Sequence, residues 1–223
     1  MGEFDGMVVL ITGAGRGSGR VLSEAFAAQG ASVAANDISP INLDLVVDQI
    51  RAAGGRAEAY VDDVAKKVAV QALINQVIDD LGRIDVLVNH AAVEPHFPLL
   101  DIDEWDWHRT LDVNLTGAFL LTQSVGRVMR EQGGGVIVNL LPLAGRDELS
   151  DRAAYVASLT GLLGLTRQAA FELAPSNIRV HAVGPGIAAY HAADVAVPSD
   201  LIEAVLYLSG PAATHLNGQI VGI

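Results

Sequence analysis

The chain has no cysteine among its 223 residues, which removes disulfides, thiolate catalysis and cysteine metal sites from the chemistry open to it. Positive charge is scarce: 14 Lys and Arg stand against 26 Asp and Glu, a formal net charge of −12. A surface of that sign repels phosphate backbones and anionic lipid headgroups, so neither nucleic acid nor a membrane is an expected partner. The first residues, Met1-Gly-Glu-Phe-Asp-Gly6, lack the basic and long apolar segments of a signal peptide, and no run is long enough to span a bilayer. Cytoplasm is the default compartment. No Pro/Gly/Ser-rich stretch or charge block divides the chain, and 51% hydrophobic content can bury one sizeable core. Residues 1–223 are read as a single domain.

What is present is alternation. Short β-branched runs are predicted as strands at 8–11, 31–36, 57–61, 86–88, 136–141 and 178–183. Stretches of helical spacing are predicted at 20–29, 41–53, 67–81, 103–131, 151–173 and 199–208, with a last strand near Ile223. Parallel strands need crossover helices, so this order calls for an α/β fold: a doubly wound, Rossmann-type parallel sheet covered on both faces. Ligands in such sheets bind beyond the carboxyl ends of the strands, where Gly13 to Gly19, Asp37, Asp63, Asn89 and Pro142 fall.

Residues 12 to 19 read Thr-Gly-Ala-Gly-Arg-Gly-Ser-Gly. Gly13, Gly17 and Gly19 suit a turn in which side chains would block a pyrophosphate, and the helix that follows offers free N–H groups and a positive dipole end to the anion. Asp37 closes the next strand, where a carboxylate can accept both hydroxyls of an adenosine ribose and repels a 2′-phosphate. NAD is therefore expected over NADP, with Arg16 the basic residue of the loop.

On these residues the chain resembles the short-chain dehydrogenase/reductase family, over nearly its whole length. Thr12-Gly13-x-x-x-Gly17-x-Gly19, spanning Arg16 and Ser18, is similar to the family's glycine motif, and Asp63-Val64 to its adenine-contacting pair. Asn89-His90-Ala91-Ala92 is similar to its Asn-Asn-Ala-Gly motif, and Pro185-Gly186 to the motif after its sixth strand. The resemblance implies that Asn114 holds a proton-relay water and that Tyr155 is the acid/base of an alcohol–ketone hydride transfer.

The same resemblance exposes departures. Four residues after Tyr155, where the family lysine lowers the tyrosine pKa and contacts the nicotinamide ribose, stands Leu159. Thirteen residues before Tyr155, where a serine meets the substrate oxygen, stands Pro142, with Leu141 beside it. Ile187-Ala-Ala-Tyr190 replaces the segment in which a threonine often meets the carboxamide, and the substrate-loop region, about 187–198, is too short for the usual helical lid. Ala92 adds a methyl beside the adenosine.

Three readings follow. The leading one is a non-catalytic subunit, a pseudoenzyme that keeps the fold, a weakened NAD site and an association surface, and joins an active relative. The resemblance places that surface on helices 103–131 and 151–173, in a homo- or hetero-oligomer such as a tetramer, where Ala153, Ala154, Ala157, Gly161 and Gly164 allow close helix approach. A second is an active NAD-dependent oxidoreductase with an altered relay, a histidine such as His181 replacing the lysine; a third is a nicotinamide-binding sensor. His90, Glu94 and His96 fit no metal geometry and are read as surface or loop residues. Trp105 and Trp107, in an acidic helix start, are read as packing anchors.

Overall fold

The computed structural model describes residues 2–142, 150–185 and 197–223. Strands β1 (Val8–Thr12), β2 (Ser32–Asp37), β3 (Arg56–Val61), β4 (Val86–Asn89), β5 (Gly135–Leu140), β6 (Ile178–Gly184) and β7 (Ile220–Gly222) form one sheet in the order β3-β2-β1-β4-β5-β6-β7. Every pairing is parallel. The strand order reverses between β1 and β4, so the loops after these two strands diverge and open a crevice at their carboxyl ends.

Alternate residues of each strand enter opposite cores. Val9 and Ile11 of β1 face helices α1 (Gly17–Ala28), α2 (Pro40–Ala52) and α7 (Ser199–Ser209), in a core holding Leu22, Phe26, Leu43 and Val205. Val8 and Leu10 face α3 (Lys67–Leu81), α5 (Ala118–Gln132) and α6 (Ala153–Leu173), with Leu73, Val77, Leu121 and Met129. The helix predicted at 103–131 is α4 (Glu104–Leu111) continued into α5 through a π-helical turn, Asp112–Gly117. It starts one residue later than expected because Asp103 is its N-cap, accepting the Asp106 N–H at 2.7 Å.

α1 begins at Gly17, three residues earlier than its apolar spacing indicated, so the glycine loop itself forms the first helical turn. α6 begins at Ala153; Asp151, included in the predicted helix, has φ +60 and lies outside it. The tryptophans part company: Trp105 is 70% exposed, against its reading as a packing anchor, while Trp107 is half-buried. No helix among the described residues is long and apolar enough to cross a membrane.

Candidate functional site

The crevice is a cleft of about 880 Å³ running from Asp37 and Asp63 at one end to Tyr155 and Pro142 at the other. Its floor is the glycine loop. Gly13 has φ +66, and a Cβ there would come within 2.9 Å of His90 Nδ1; Gly17 has φ +54 and opens to space. A Cβ on Gly19 would collide with the Gly13 carbonyl oxygen and lie 2.6 Å from His90 Nδ1. Gly19 is thus required for close packing behind the loop and does not line the cleft, whereas Gly13, Arg16, Gly17 and Ser18 do. The first intrahelical bond of α1 is Arg20 N–H to the Arg16 carbonyl (3.2 Å), which leaves the N–H groups of Gly17, Ser18 and Gly19 without intrahelical acceptors. No acidic residue neutralises this first turn. Such a cradle fits a pyrophosphate.

Asp37 sits at the end of β2 with both oxygens fixed: Oδ2 accepts the Gly15 N–H at 3.0 Å and Oδ1 the Ser39 N–H at 2.9 Å. Gly15, which sequence reasoning passed over, is needed here, since a Cβ on it would lie 2.9 Å from Asp37 Oδ2. Beyond β3, Asp63 Oδ1 accepts the Ala65 N–H at 3.1 Å, and Oδ2 pairs with Arg109 at 3.2 Å and with Lys66 at 3.8 Å. Val64 and Ala91 also line the cleft. Arg109 comes from α4, 46 residues away, and nothing local in the sequence signals that ion pair. Asp62 lines the same end, and burial raises its pKa from the ordinary carboxylate value.

His90, read as a surface or loop residue, lies in the loop after β4 and is half-buried. Its Nδ1 lies 3.1 Å from the Gly13 carbonyl, and its ring fills the space that the absent side chains of Gly13 and Gly19 leave. Burial lowers its pKa, against the raising pull of the Gly13 carbonyl and Asp37. A neutral ring donating from Nδ1 to Gly13 follows from that contact. Asn89 lies beneath the cleft, donating to Asn139 Oδ1 at 2.8 Å, and ties β4 to β5.

The other end is apolar. Tyr155 is 3% exposed and packs with Ala118, Leu141, Leu159, Leu162 and Ala182. Leu159 is 4% exposed within that cluster. The Leu141 N–H donates to Val183 at 3.0 Å, holding the segment before Pro142 against β6, and Pro142 and Pro185 complete the wall. Asn114, in the π turn, has its side chain engaged: Oδ1 accepts the Val93 N–H (2.8 Å), and Nδ2 donates to the Val93 carbonyl (2.9 Å) and Ser158 Oγ (3.0 Å). It clamps the loop after β4 to α6, one turn from Tyr155. Glu94, also on the cleft, pairs with Arg152 at the start of α6 and stands 3.8 Å from His96. Among the described residues no group of three His, Asp or Glu converges as a metal site would require.

His181 does not reach Tyr155. It shares a face of β6 with Arg179, whose guanidinium donates to the Leu208 and Ala213 carbonyls around α7, whereas Ala182 faces Tyr155. Its Nδ1 accepts the Gln219 N–H at 3.3 Å, and its buried Nε2 has no hydrogen-bond partner among the described residues. Gly186 and the Ile187 to Tyr190 stretch lie outside the described residues, as does most of the shortened loop region.

Residues 7–197 match the family model described as short chain dehydrogenase. The 3-oxoacyl-[acyl-carrier-protein] reductase FabG of Thermotoga maritima is 35% identical over 239 aligned residues, covering 99% of this chain and 97% of FabG. That alignment is longer than this chain, so FabG carries residues with no counterpart here. The (2S)-[(R)-hydroxy(phenyl)methyl]succinyl-CoA dehydrogenase subunit BbsD of Thauera aromatica is 40% identical over 180 residues, 81% of this chain and 72% of that protein. Among solved structures, a 7α-hydroxysteroid dehydrogenase complexed with NADH and 7-oxo glycochenodeoxycholic acid superposes with a TM-score of 0.91 at 32% identity, over 99% of this chain and 93% of that one.

Proposed function

The chain belongs to the short-chain dehydrogenase family, and from that premise we propose that it is an NAD-binding subunit without turnover of its own, associated with a catalytically complete relative. The observation that carries this reading is that Leu159, buried, and Pro142, on the cleft wall, stand where the family places its lysine and its serine. A phenol has an ordinary pKa near 10 and needs a neighbouring cation to act as a base near neutral pH. The position one helical turn after Tyr155, where that cation would stand, is Leu159, and the sequence has no lysine on α6.

The only lysines in the sequence are Lys66 and Lys67, and they stand at the start of α3 beside Asp63, at the adenosine end. The described cations on the cleft are Arg16 and Arg109, and Arg109 is engaged by Asp63. NAD, when bound, supplies a hydride acceptor. The residues here would hold its pyrophosphate on the Gly17 and Ser18 amides and its ribose on Asp37, but they offer the substrate oxygen no donor at Pro142. Removing one donor to a developing oxyanion costs about 2.7–4 kcal/mol, or roughly 100- to 1,000-fold in rate. Loss of the lysine compounds that cost.

Association is supported from two sides. BbsD is named as a dehydrogenase subunit, and the predicted association helices here present exposed apolar side chains, Phe119 on α5 and Phe171 on α6. The test is native mass spectrometry of the protein isolated from its source, with turnover assayed on the chain alone and on any assembly. A mixed oligomer in which the isolated chain is inert is expected. Oxidation of alcohols by the isolated chain at rates ordinary for the family, lost in Tyr155→Phe, would defeat the reading.

A further inference from the structure

Where the family motif has its second asparagine, this chain has His90, a side chain that can take on charge. Its backbone N–H donates to the Thr12 hydroxyl at 3.1 Å, and that of Ala91 to the same oxygen at 3.2 Å, so the residue is pinned beside the glycine loop. Nδ1 lies 3.1 Å from the Gly13 carbonyl, and the ring occupies the space in which Gly13 and Gly19 have no side chain. His90 lines the cleft with Gly13, Arg16, Gly17 and Ser18. We propose that His90 is a proton-linked positioning residue for the pyrophosphate: neutral in the free protein, it takes up a proton when NAD binds, so that binding tightens as pH falls. This rests on the NAD-binding part of the function proposed above and adds its regulation.

In the free protein the surroundings oppose a charge on this ring. Burial is the main cause that holds its pKa below the ordinary value, and Arg16 adds to it, against the Gly13 and Thr12 backbone groups and Asp37. The ring also packs against the first turn of α1, which has no acid and ends in N–H groups without intrahelical acceptors, the positive end of the helix dipole. A pyrophosphate on the Gly17 and Ser18 amides reverses the sign of that field. Nδ1 already holds its proton on the Gly13 carbonyl, so the proton drawn from solvent goes to Nε2, and the resulting imidazolium adds a fixed cation beside the bound anion.

The remaining described charges on the cleft are Asp62, Asp63, Glu94 and Arg109. Asp63 pairs with Arg109, and Glu94 with Arg152. Asp62 has its pKa raised by burial, so it is a second group that a bound anion could act on, and substitution separates it from His90. The phosphates of NAD are diesters that stay ionised throughout the range in which histidine titrates, so a proton taken up there belongs to the protein. The free-state pKa lies below 6.5 and the anion raises it; binding therefore strengthens as pH falls through the bound-state pKa and levels off below the free-state one. Each unit of that rise strengthens binding up to tenfold in acid.

The experiment is isothermal titration calorimetry of the full chain with NAD between about pH 8 and about pH 5.5, in buffers of different ionisation enthalpy, on wild type, His90→Asn and Asp62→Asn, with thermal melts confirming that each variant is folded. Asparagine keeps a donor for the Gly13 carbonyl and cannot take the proton. Wild type is expected to bind NAD about five- to tenfold more tightly at the acid end and to take up about half a proton per NAD near pH 6. His90→Asn should lose both effects and Asp62→Asn should keep them, which a merely structural role for His90 would not produce. In NMR titrations the imidazole resonances missing from His90→Asn should report a pKa that rises when NAD is added. NAD affinity that varies less than twofold over this range, or proton uptake that persists in His90→Asn, overturns the inference and leaves the proposed function standing. Failure of NAD to bind at any pH removes the NAD-binding reading and this inference with it.

Discussion

At Asp37 one carboxylate serves both the fold and the ligand. Its two oxygens cap the Gly15 and Ser39 N–H groups, so Asp37→Asn replaces one acceptor with a donor aimed at a backbone N–H. The expected outcome is a loss of about 1 kcal/mol of stability by urea unfolding, together with a narrowed preference for NAD over NADP in calorimetry, because the charge that repels a 2′-phosphate is gone. His181 gives a second prediction at this scale. Burial and the Arg179 charge lower its pKa to about 4, below the 6.5 of an unfolded histidine. The unfolded chain therefore binds the proton more readily, and stability present above pH 6.5 is lost as pH falls toward 4, by up to about 3 kcal/mol. Urea midpoints of wild type and His181→Leu between pH 7 and pH 4 test this: the difference between them should shift toward the variant in acid, and parallel profiles would sink the idea. Residues differ in how far the sequence announces them. Asp37 and the loop glycines are legible because their partners lie on adjoining strand ends. His90 is not, since the Gly13 carbonyl that it contacts is 77 residues away, and an isolated histidine after a strand carries no mark of the loop it will meet.

Among the elements, α3 was legible residue for residue. Its apolar spacing runs uninterrupted to Gly82, whose φ of +80 stops the helix with an αL cap. The π turn at Asp112–Gly117 was not legible, because one extra residue in a turn alters helical spacing less than ordinary pattern noise. The sequence offered only Asn114, in Asp-Val-Asn-Leu-Thr-Gly, as a residue with a reason to be there. The structure supplies that reason: the turn delivers Asn114 to both backbone groups of Val93 and to Ser158. Asn114→Ala should leave the Val93 N–H and carbonyl unpaired in a partly buried site and lower stability by about 2–4 kcal/mol. Asn114→Asp keeps an acceptor for the Val93 N–H but sets a carboxylate oxygen against the Val93 carbonyl in a buried site, so its loss should equal or exceed that of alanine near neutral pH. Calorimetric melting of the three proteins checks the order. Equal melting temperatures for wild type and Asn114→Ala would mean that the π turn is held by packing alone.

For the whole molecule, the proposed association raises the question of which surface would meet another chain. A net charge of −12 sets like molecules against each other at distances up to the Debye length, about 8 Å in physiological salt, so association favours a face where that charge is diluted. Helices α5 and α6 meet this condition: together they carry Arg127, Arg130 and Arg167 against Glu131 and Glu172. The small residues of α6 lie on two faces. Ala154 is buried, and a Cβ on Gly161 would lie 2.8 Å from Leu115 Cδ2, so these pack within the chain. Ala157 and Gly164 are exposed, and a Cβ on Gly164 would meet nothing within 4 Å. That asymmetry separates folding from association. Gly164→Leu inserts bulk only where a partner helix would lie, and replacing glycine inside a helix should raise monomer stability by up to about 1 kcal/mol. The expected result is a melting temperature held or raised by the substitution while the oligomer seen by sedimentation velocity breaks down, with Phe171→Glu on the same face doing likewise. An oligomer that survives both substitutions would move the interface off α6, and a partner relative would then have to dock elsewhere on an acidic surface, where its own charge would have to be basic to be held.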